Sequence, residues 1–255
     1  MTEEILISQD GPVLRVTFNR PEARNAMTFA MYDGLVAACE RADADAEIRA
    51  VVLRGAGGAS FVAGTDIRQF AGFDGPQGVA YERRIDATIG RLLDVTVPVV
   101  AAVDGFCIGG GLAIAAAADV RVAHPSSRFG YPIARTLGNT LSAASYALTM
   151  RHFGHARTID MILTARLLDA EQARECGFVS RVAEDVSAAT DDVVRRILGH
   201  APLTMAAGKE ILRRLHAAAG DLDADDVIER VYGSADFAAG AAAFTHKTTP
   251  TWSGQ

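Results

Sequence analysis

Pro98-Val99-Val100-Ala101-Ala102-Val103-Asp104-Gly105, running into Gly109-Gly110-Gly111, places an apolar strand directly before a glycine-rich turn. The unbroken apolar run from Pro98 to Val103 suits a strand buried on both faces, as in a parallel sheet. Gly105 to Gly111 reads as a loop and Leu112 to Ala118 as a helix. An earlier strand of the same kind, Ala50 to Arg54, is ended by Gly55, and another at Val120 to Ala123 follows Asp119. Recurrence of strand, glycine loop and helix predicts stacked ββα turns.

Working outward, Ile5 to Ser8 and Val13 to Asn19 flank the turn signal Asp10-Gly11-Pro12, as in a hairpin. Thr28 is placed as an N-cap for a helix whose apolar residues Phe29, Tyr32, Val36 and Cys39 recur at spacings of three and four. Phe61-Val62-Ala63-Gly64-Thr65-Asp66-Ile67 is a strand end leading into a short helical turn. Beyond Gly138 the composition turns helical, through Met150, Met161 and Asp169 to Cys176, interrupted by a strand-like Phe178 to Val182. From about Ser187 strand signals stop, and three Ala-rich amphipathic stretches follow: Asp191 to Leu198, Pro202 to Ala218 and Asp225 to Ala243. Their alanine suits either close packing within one subunit or a face meeting a neighbouring subunit. The expected division is a core over 1–190 and a helical region over 191–255.

With 255 residues, 49% of them apolar, the chain is long enough to bury a large core. A net charge of −6 argues against nucleic-acid binding, which favours a basic face. Cys39, Cys107 and Cys176 are widely spaced, odd in number and form no CxxC pair, so neither a disulfide framework nor a zinc site is indicated. The acidic start MTEEILISQDG has no basic segment followed by an apolar one, and no apolar run approaches the ~18 residues of a membrane span. A cytoplasmic protein without membrane partners is expected. His124, His152 and His155 have no metal-ligand spacing, and no metal is expected.

Small residues at Gly64 and at Gly109 to Gly111 let a ligand approach the backbone, and free N–H groups at a helix start carry the positive end of the helix dipole. Two such donors converging on one carbonyl oxygen make an oxyanion hole. The plainer reading of the triple glycine is tight packing of helix against strand. It matches neither GxxxxGK[ST] nor a full GxGxxG, so no nucleotide-phosphate loop is implied.

Taken in order, several segments of the sequence resemble the crotonase superfamily, the enoyl-CoA hydratase/isomerase family. They are Phe18 to Glu22 with Asn25-Ala26, Phe61 to Ile67, Pro98 to Gly111, Ala118 to Arg121, Phe129-Gly130 with Pro132, Leu163 to Arg166, Gly177 to Val179, and Ala243-Phe244 with Lys247. The resemblance implies an α/β fold, a spiral of ββα units with an α-helical C-terminal trimerisation region, assembled as a homotrimer or dimer of trimers. It implies an acyl-CoA thioester as ligand, with no cofactor beyond the coenzyme A of the substrate. The N–H groups of Thr65 and Gly110 occupy the oxyanion-hole positions. Arg68 stands where the family places a cation near the CoA phosphates, although a solvated surface arginine is the alternative. Arg24 to Ala26 and Ala63 resemble segments bordering adenine and pantetheine, and Asp66 and Ile67 lie in the same CoA-binding stretch. Phe244 and Lys247 match residues that reach the CoA of a neighbouring subunit.

Hydratases of the family use two glutamates, at places held here by Ala113 and Ile133. A methyl or a branched alkyl group transfers no proton, and losing such a group typically costs ~10²–10⁴-fold. Glutamate-dependent hydration is therefore not expected; isomerisation or decarboxylation remains, the latter needing no base to begin. The alternative is a non-catalytic acyl-CoA-binding or scaffolding homologue. Tyr131, Arg135 and Asn139, in a stretch unlike the usual family segment, are candidates for the acyl end; alternatively Arg135 and Asn139 cap a helix starting near Gly138. Thr65 stands where the family often has alanine, and its hydroxyl is expected either beside the hole or bonded to local backbone. Asp66 and Asp119 recur in members of differing chemistry and are read as structural rather than as replacement bases.

Overall fold

In the computed structural model, which describes residues 3–217 and 225–253, Gly11 turns the chain at φ +52° between β1 (Ile5–Asp10) and β2 (Val13–Phe18), an antiparallel pair. Helix α1 (Phe29–Ala44) starts as its sequence predicts, with the Thr28 hydroxyl accepting from the Met31 amide. Strands β3 (Ala50–Gly55) and β4 (Ser60–Ala63) lead through a 3-10 turn, Ile67–Phe70, into α2 (Gly75–Leu93). The next turns of the spiral are β5 (Val99–Val103), β6 (Phe106–Ile108) and α3 (Gly110–Ala117), then β7 (Val120–Ala123), β8 (Arg128–Gly130) and α4 (Ile133–Thr136). They are followed by α5 (Ala143–Thr164), β9 (Leu168–Asp169), α6 (Ala170–Glu175), β10 (Arg181–Val182), α7 (Val186–Leu198), α8 (Pro202–Ala217), α9 (Asp225–Tyr232) and α10 (Ala235–His246).

The strand pairs β3/β4, β5/β6 and β7/β8 each give one strand to each of two sheets, whereas β1 and β2 both join the larger. The larger has the order β1-β2-β3-β5-β7-β10 and the smaller β4-β6-β8-β9; only β1–β2 and β8–β9 pair antiparallel. Alternation across the strands sorts the core. Leu14, Val16, Val51, Leu53, Val99 and Ala101 face the main core, whereas Val13, Ala50, Val52, Val100, Ala102 and Val122 meet Val186 and Val194 of α7.

The structure differs from the sequence reading in several places. Gly105 to Gly111 is not all loop, because Phe106–Ile108 pairs in parallel with both β4 and β8. The strand expected over Phe178 to Val182 is confined to Arg181–Val182, since Phe178 and Val179 turn into the core after Gly177. No helix starts at Gly138: α5 begins at Ala143, where the Ser142 hydroxyl accepts from the Ser145 amide. Asp225 to Ala243 is two helices, separated at Gly233 and restarted by the Ser234 cap on the Phe237 amide. Ala218 lies outside the described residues. Helix α2 has no counterpart in the sequence reading, although Asp74 and Gln77 form a reciprocal capping box at its start. Gly78 lets α9 approach α2 closely, because a Cβ there would sit 2.1 Å from the Tyr232 ring. Among the described residues no helix is long and apolar enough to cross a membrane.

Candidate active site

Two glycine turns meet where β4 and β6 end. A Cβ on Gly109 (φ +56°) would lie 3.2 Å from the Gly64 Cα, so the two turns touch backbone to backbone. Gly111 is held against β4, with a Cβ position 2.2 Å from the Val62 carbonyl oxygen. The first helical residue of α3 is Gly110, whose amide has no acceptor one turn back. Among the described residues neither the Gly110 nor the Thr65 amide donates to another group of the chain. Both residues are half-buried.

The segment before α1 is strapped along this edge. Ala63 N donates to Arg24 O at 3.1 Å, Met27 N to Gly64 O at 2.9 Å and Asp66 N to Met27 O at 2.8 Å. Arg24 and Asn25 adopt left-handed backbone, and buried Asn25 bonds Arg20 N, Ala56 O and Ser60 O, holding the strap in place. The exposed Arg24 guanidinium lies 5.5 Å from the Phe106 ring centroid. Ala26 and Ala63 are half-buried beside it.

Asp66 begins the 3-10 turn Ile67–Phe70, its carboxylate accepting from the Arg68 amide. That carboxylate also takes Arg68 Nε at 2.9 Å and Arg20 Nη2 at 3.0 Å. Hydrogen bonds from Arg68, then Arg20, hold its pKa down to about 2 against the opposing effect of burial. Arg68 itself is 70% exposed, so its free edge reaches solvent.

A group of hydroxyls occupies the space behind the two turns. Thr65 Oγ1 is 2.8 Å from Tyr32 Oη of α1 and 2.7 Å from Tyr81 Oη of α2. The Thr65 hydroxyl is therefore bonded to two phenols, not to local backbone. A Cβ on Gly110 would come within 2.4 Å of Tyr32 Oη and 3.4 Å of Thr65 Oγ1. Burial raises the Tyr32 pKa to about 12 and the Tyr81 pKa well above that of an ordinary phenol, so both stay protonated.

Ala113 is buried in α3 and Ile133 is buried as the first residue of α4. Tyr131 is buried, with its hydroxyl 3.3 Å from Thr149 Oγ1. Arg135 is exposed and forms no ion pair among the described residues. Asn139 caps no helix; its Nδ2 donates to Tyr232 Oη at 3.0 Å, and its buried Oδ1 is without a partner. Phe244 and Lys247 are exposed at the end of α10. Lys209 Nζ holds Asp119 at 2.6 Å and the Asp119 carboxylate accepts from Val99 N, so this aspartate ties α8 to the sheet.

Tyr32, Tyr81 and buried Glu82 escaped the sequence reading. Tyr32 appeared there only as one apolar position of α1, and α2, which carries the other two, was not recognised. An isolated glutamate inside an otherwise apolar helix face, as Glu82 is between Tyr81 and Ile85, was the available signal.

A spiral of ββα units with two glycine turns in contact at one edge defines the class of fold, and the comparisons share that fold. The family model for enoyl-CoA hydratase/isomerase matches residues 8–255. A probable enoyl-CoA hydratase of Mycobacterium bovis is 32% identical over 253 residues, covering 97% of both chains. The crystal structure of an enoyl-CoA hydratase/carnithine racemase from Magnetospirillum magneticum superposes with a TM-score of 0.81 at 32% identity, over 100% of this chain and 97% of the other. A methylmalonyl-CoA decarboxylase in complex with 2-nitronate-propionyl-CoA gives a TM-score of 0.89 at 25% identity, over 100% of both chains. The chain belongs to the enoyl-CoA hydratase/isomerase family of the crotonase superfamily.

Proposed function

We propose that this protein is an enzyme that binds an acyl-CoA thioester and stabilises its enolate between the Thr65 and Gly110 amides, by decarboxylation or isomerisation rather than hydration. The observation that carries the reading is the contact of the two glycine turns, with both amides left undonated and half-exposed. Preorganised donors of this kind cost nothing to reorient when charge develops, and one is often worth several kcal/mol to a transition state.

Ala113 and Ile133 argue against the hydratase reaction, as neither moves a proton. In decarboxylation the bond from the α carbon to the carboxylate breaks and its electron pair passes into the enolate. Carbon dioxide departs, and a proton is then taken up at the α carbon. Exposed Arg135, which has no ion pair among the described residues, suits a carboxylate on the acyl group. Likeness to the methylmalonyl-CoA decarboxylase supports this choice.

Arg24, Ala26, Ala63, Asp66, Ile67 and Arg68 form the proposed CoA-binding edge, with Arg68 offering its free side to a phosphate. Exposed Leu203, Ile211, Leu212 and Leu215 along α8 support assembly of subunits through the C-terminal region, with Phe244 and Lys247 reaching a neighbour's CoA. Free Cys39, Cys107 and Cys176 suit a reducing, cytoplasmic setting.

Assaying 2-enoyl-, malonyl-type and 3-hydroxyacyl-CoA thioesters for binding and separately for turnover tests the proposal. Turnover of a malonyl-type ester with little hydration of a 2-enoyl ester is expected. Binding of the panel without any turnover would instead favour the scaffolding role. No affinity for coenzyme A or any ester would overturn the reading altogether.

A further inference from the structure

Helix α4 is a single turn that cannot hold its own place. It spans four residues, Ile133–Thr136, and so few hydrogen bonds do not offset the cost of nucleating a helix in isolation. Left-handed Gly138 (φ +73°) closes its end, the Gly138 amide donating to Ile133 O at 2.8 Å beside the Leu137 amide at 3.0 Å. Arg135 lies within that turn, exposed and without an ion pair among the described residues. Whatever fixes the end of α4 therefore fixes where the Arg135 side chain begins.

The C-terminal segment does the fixing. Gly240 of α10 lies against buried Leu137, since a Cβ on Gly240 would sit 2.3 Å from the Leu137 carbonyl oxygen. A Cβ on Gly138 would come 3.0 Å from Trp252 Cζ3 and 3.3 Å from the Asp236 carbonyl oxygen. Asn139 then donates to Tyr232 Oη of α9 at 3.0 Å. Trp252 reaches Gly138 because the tail doubles back on α10. Lys247 turns left-handed at the helix end (φ +55°), and Ser253 N and Oγ bond the Asp236 carboxylate, in the first turn of α10, at 2.6 and 2.8 Å. Leu137, Gly138 and Asn139 are thus each held by a different part of the C-terminal region.

We propose that Trp252 is a positioning residue for Arg135: by closing over Gly138, the tail holds α4 where its guanidinium meets a carboxylate on the acyl group. The ligand class so selected is a carboxylated acyl-CoA over a neutral one. This rests on the reading of Arg135 given above and goes beyond it by assigning control of that arginine to the C-terminal tail. Displacing a charged group by about an ångström is enough to lose much of its hydrogen bond. Trp252 is 40% exposed, so its replacement should disturb this placement without disrupting the core.

The test compares the affinities of methylmalonyl-CoA and propionyl-CoA, read by displacement of a fluorescent coenzyme A analogue before turnover proceeds. Trp252→Ala should weaken methylmalonyl-CoA ~3- to 10-fold, no more than the charge-assisted hydrogen bond it steers, and leave propionyl-CoA within about twofold. Trp252→Phe keeps a ring over Gly138 and should recover most of the loss. In an Arg135→Ala background Trp252→Ala should weaken neither ester further, a non-additivity that a merely structural role would not produce. An unchanged preference in Trp252→Ala, equal weakening of both esters, or the full effect persisting without Arg135 would overturn the inference. If Arg135→Ala alone left methylmalonyl-CoA affinity intact, the carboxylate reading itself would fall, and the role of Trp252 with it.

Discussion

The Tyr232 hydroxyl donates to the Glu82 carboxylate at 2.6 Å, joining α9 to the middle of α2. The other Glu82 oxygen accepts the Ser142 amide at 3.0 Å, and Asn139 Nδ2 donates to the same Tyr232 oxygen. One turn along α2, Asp86 accepts the Ser142 hydroxyl at 2.6 Å. Two acidic side chains on α2 thus hold the start of α5, and one of them holds α9.

Stability should depend on pH through this cluster. Burial lifts the Glu82 pKa to about 7, against the opposing hydrogen bonds from Tyr232 and Ser142, and burial also raises Asp86. A carboxyl with a raised folded-state pKa favours folding fully below its unfolded value, and that contribution is lost as pH rises through about 7. Over the whole window the loss is on the order of 3 kcal/mol. Glu82→Gln removes it, so denaturant titrations at pH 5 and pH 8 should show the wild type losing stability relative to the variant. A difference that stays constant with pH would mean Glu82 is ionised throughout.

At Gly110 and Gly111 the same substitution should act through different obstacles. A Cβ on Gly110 meets the tip of a side chain, Tyr32 Oη, whereas one on Gly111 meets the Val62 backbone carbonyl. Gly110→Ala should cost roughly 1–3 kcal/mol by overpacking, and much of that should vanish in a Tyr32→Phe background. Gly111→Ala should be equally damaging in both backgrounds. Equilibrium unfolding of the two double-mutant cycles measures this, and an additive Gly110→Ala/Tyr32→Phe pair would contradict the packing described.

Arg20 and Arg68 share one carboxylate and should have separable roles. Arg20 is buried, bonds Asp66 at 3.0 Å and the Ala26 carbonyl at 2.6 Å, and pairs with Glu4. Arg20→Ala leaves Asp66 buried with an exposed partner only, and should destabilise by ~3–5 kcal/mol. Exposed Arg68 should matter little to folding, as surface pairs are worth about 0–1 kcal/mol. Its effect should appear in ligand binding: Arg68→Ala should weaken CoA affinity and flatten its salt dependence. Unchanged affinity and slope would remove Arg68 from the phosphate site.

Much of this architecture is legible in sequence wherever a strand is buried on both faces. Ala50 to Gly55 and Val99 to Val103 are nearly unbroken apolar runs, and the sheet is built on them. Short strands are less visible: β6 and β8 have three residues each, too few for a period to show, and they are strands because neighbouring turns of the spiral pair with them. Helix α2 hides behind Gly75, Pro76 and Gly78, residues that usually mark loops. Here proline lies in the first turn and the glycines admit Glu229 and Tyr232. The site was legible only where it is backbone. Glycines announce Thr65 and Gly110, but the meeting of Tyr32 with Tyr81 depends on how α1 and α2 pack, which no local pattern records.

Arg135 distinguishes a carboxylated acyl group from a neutral one. It lies on α4 two residues after buried Ile133, is exposed, and is not engaged by any acidic side chain among the described residues. A guanidinium held in that way gains most from a planar anion able to accept two parallel hydrogen bonds. Arg135→Ala should therefore weaken binding of methylmalonyl-CoA by ~10-fold or more, the scale of one charge-assisted hydrogen bond, while propionyl-CoA binding stays within about twofold. Arg135→Lys keeps the charge without the fork and should recover only part of the loss. Equal weakening of both esters would place Arg135 on the CoA rather than the acyl group, and no effect on either would leave the carboxylate without a partner and decarboxylation without its main support.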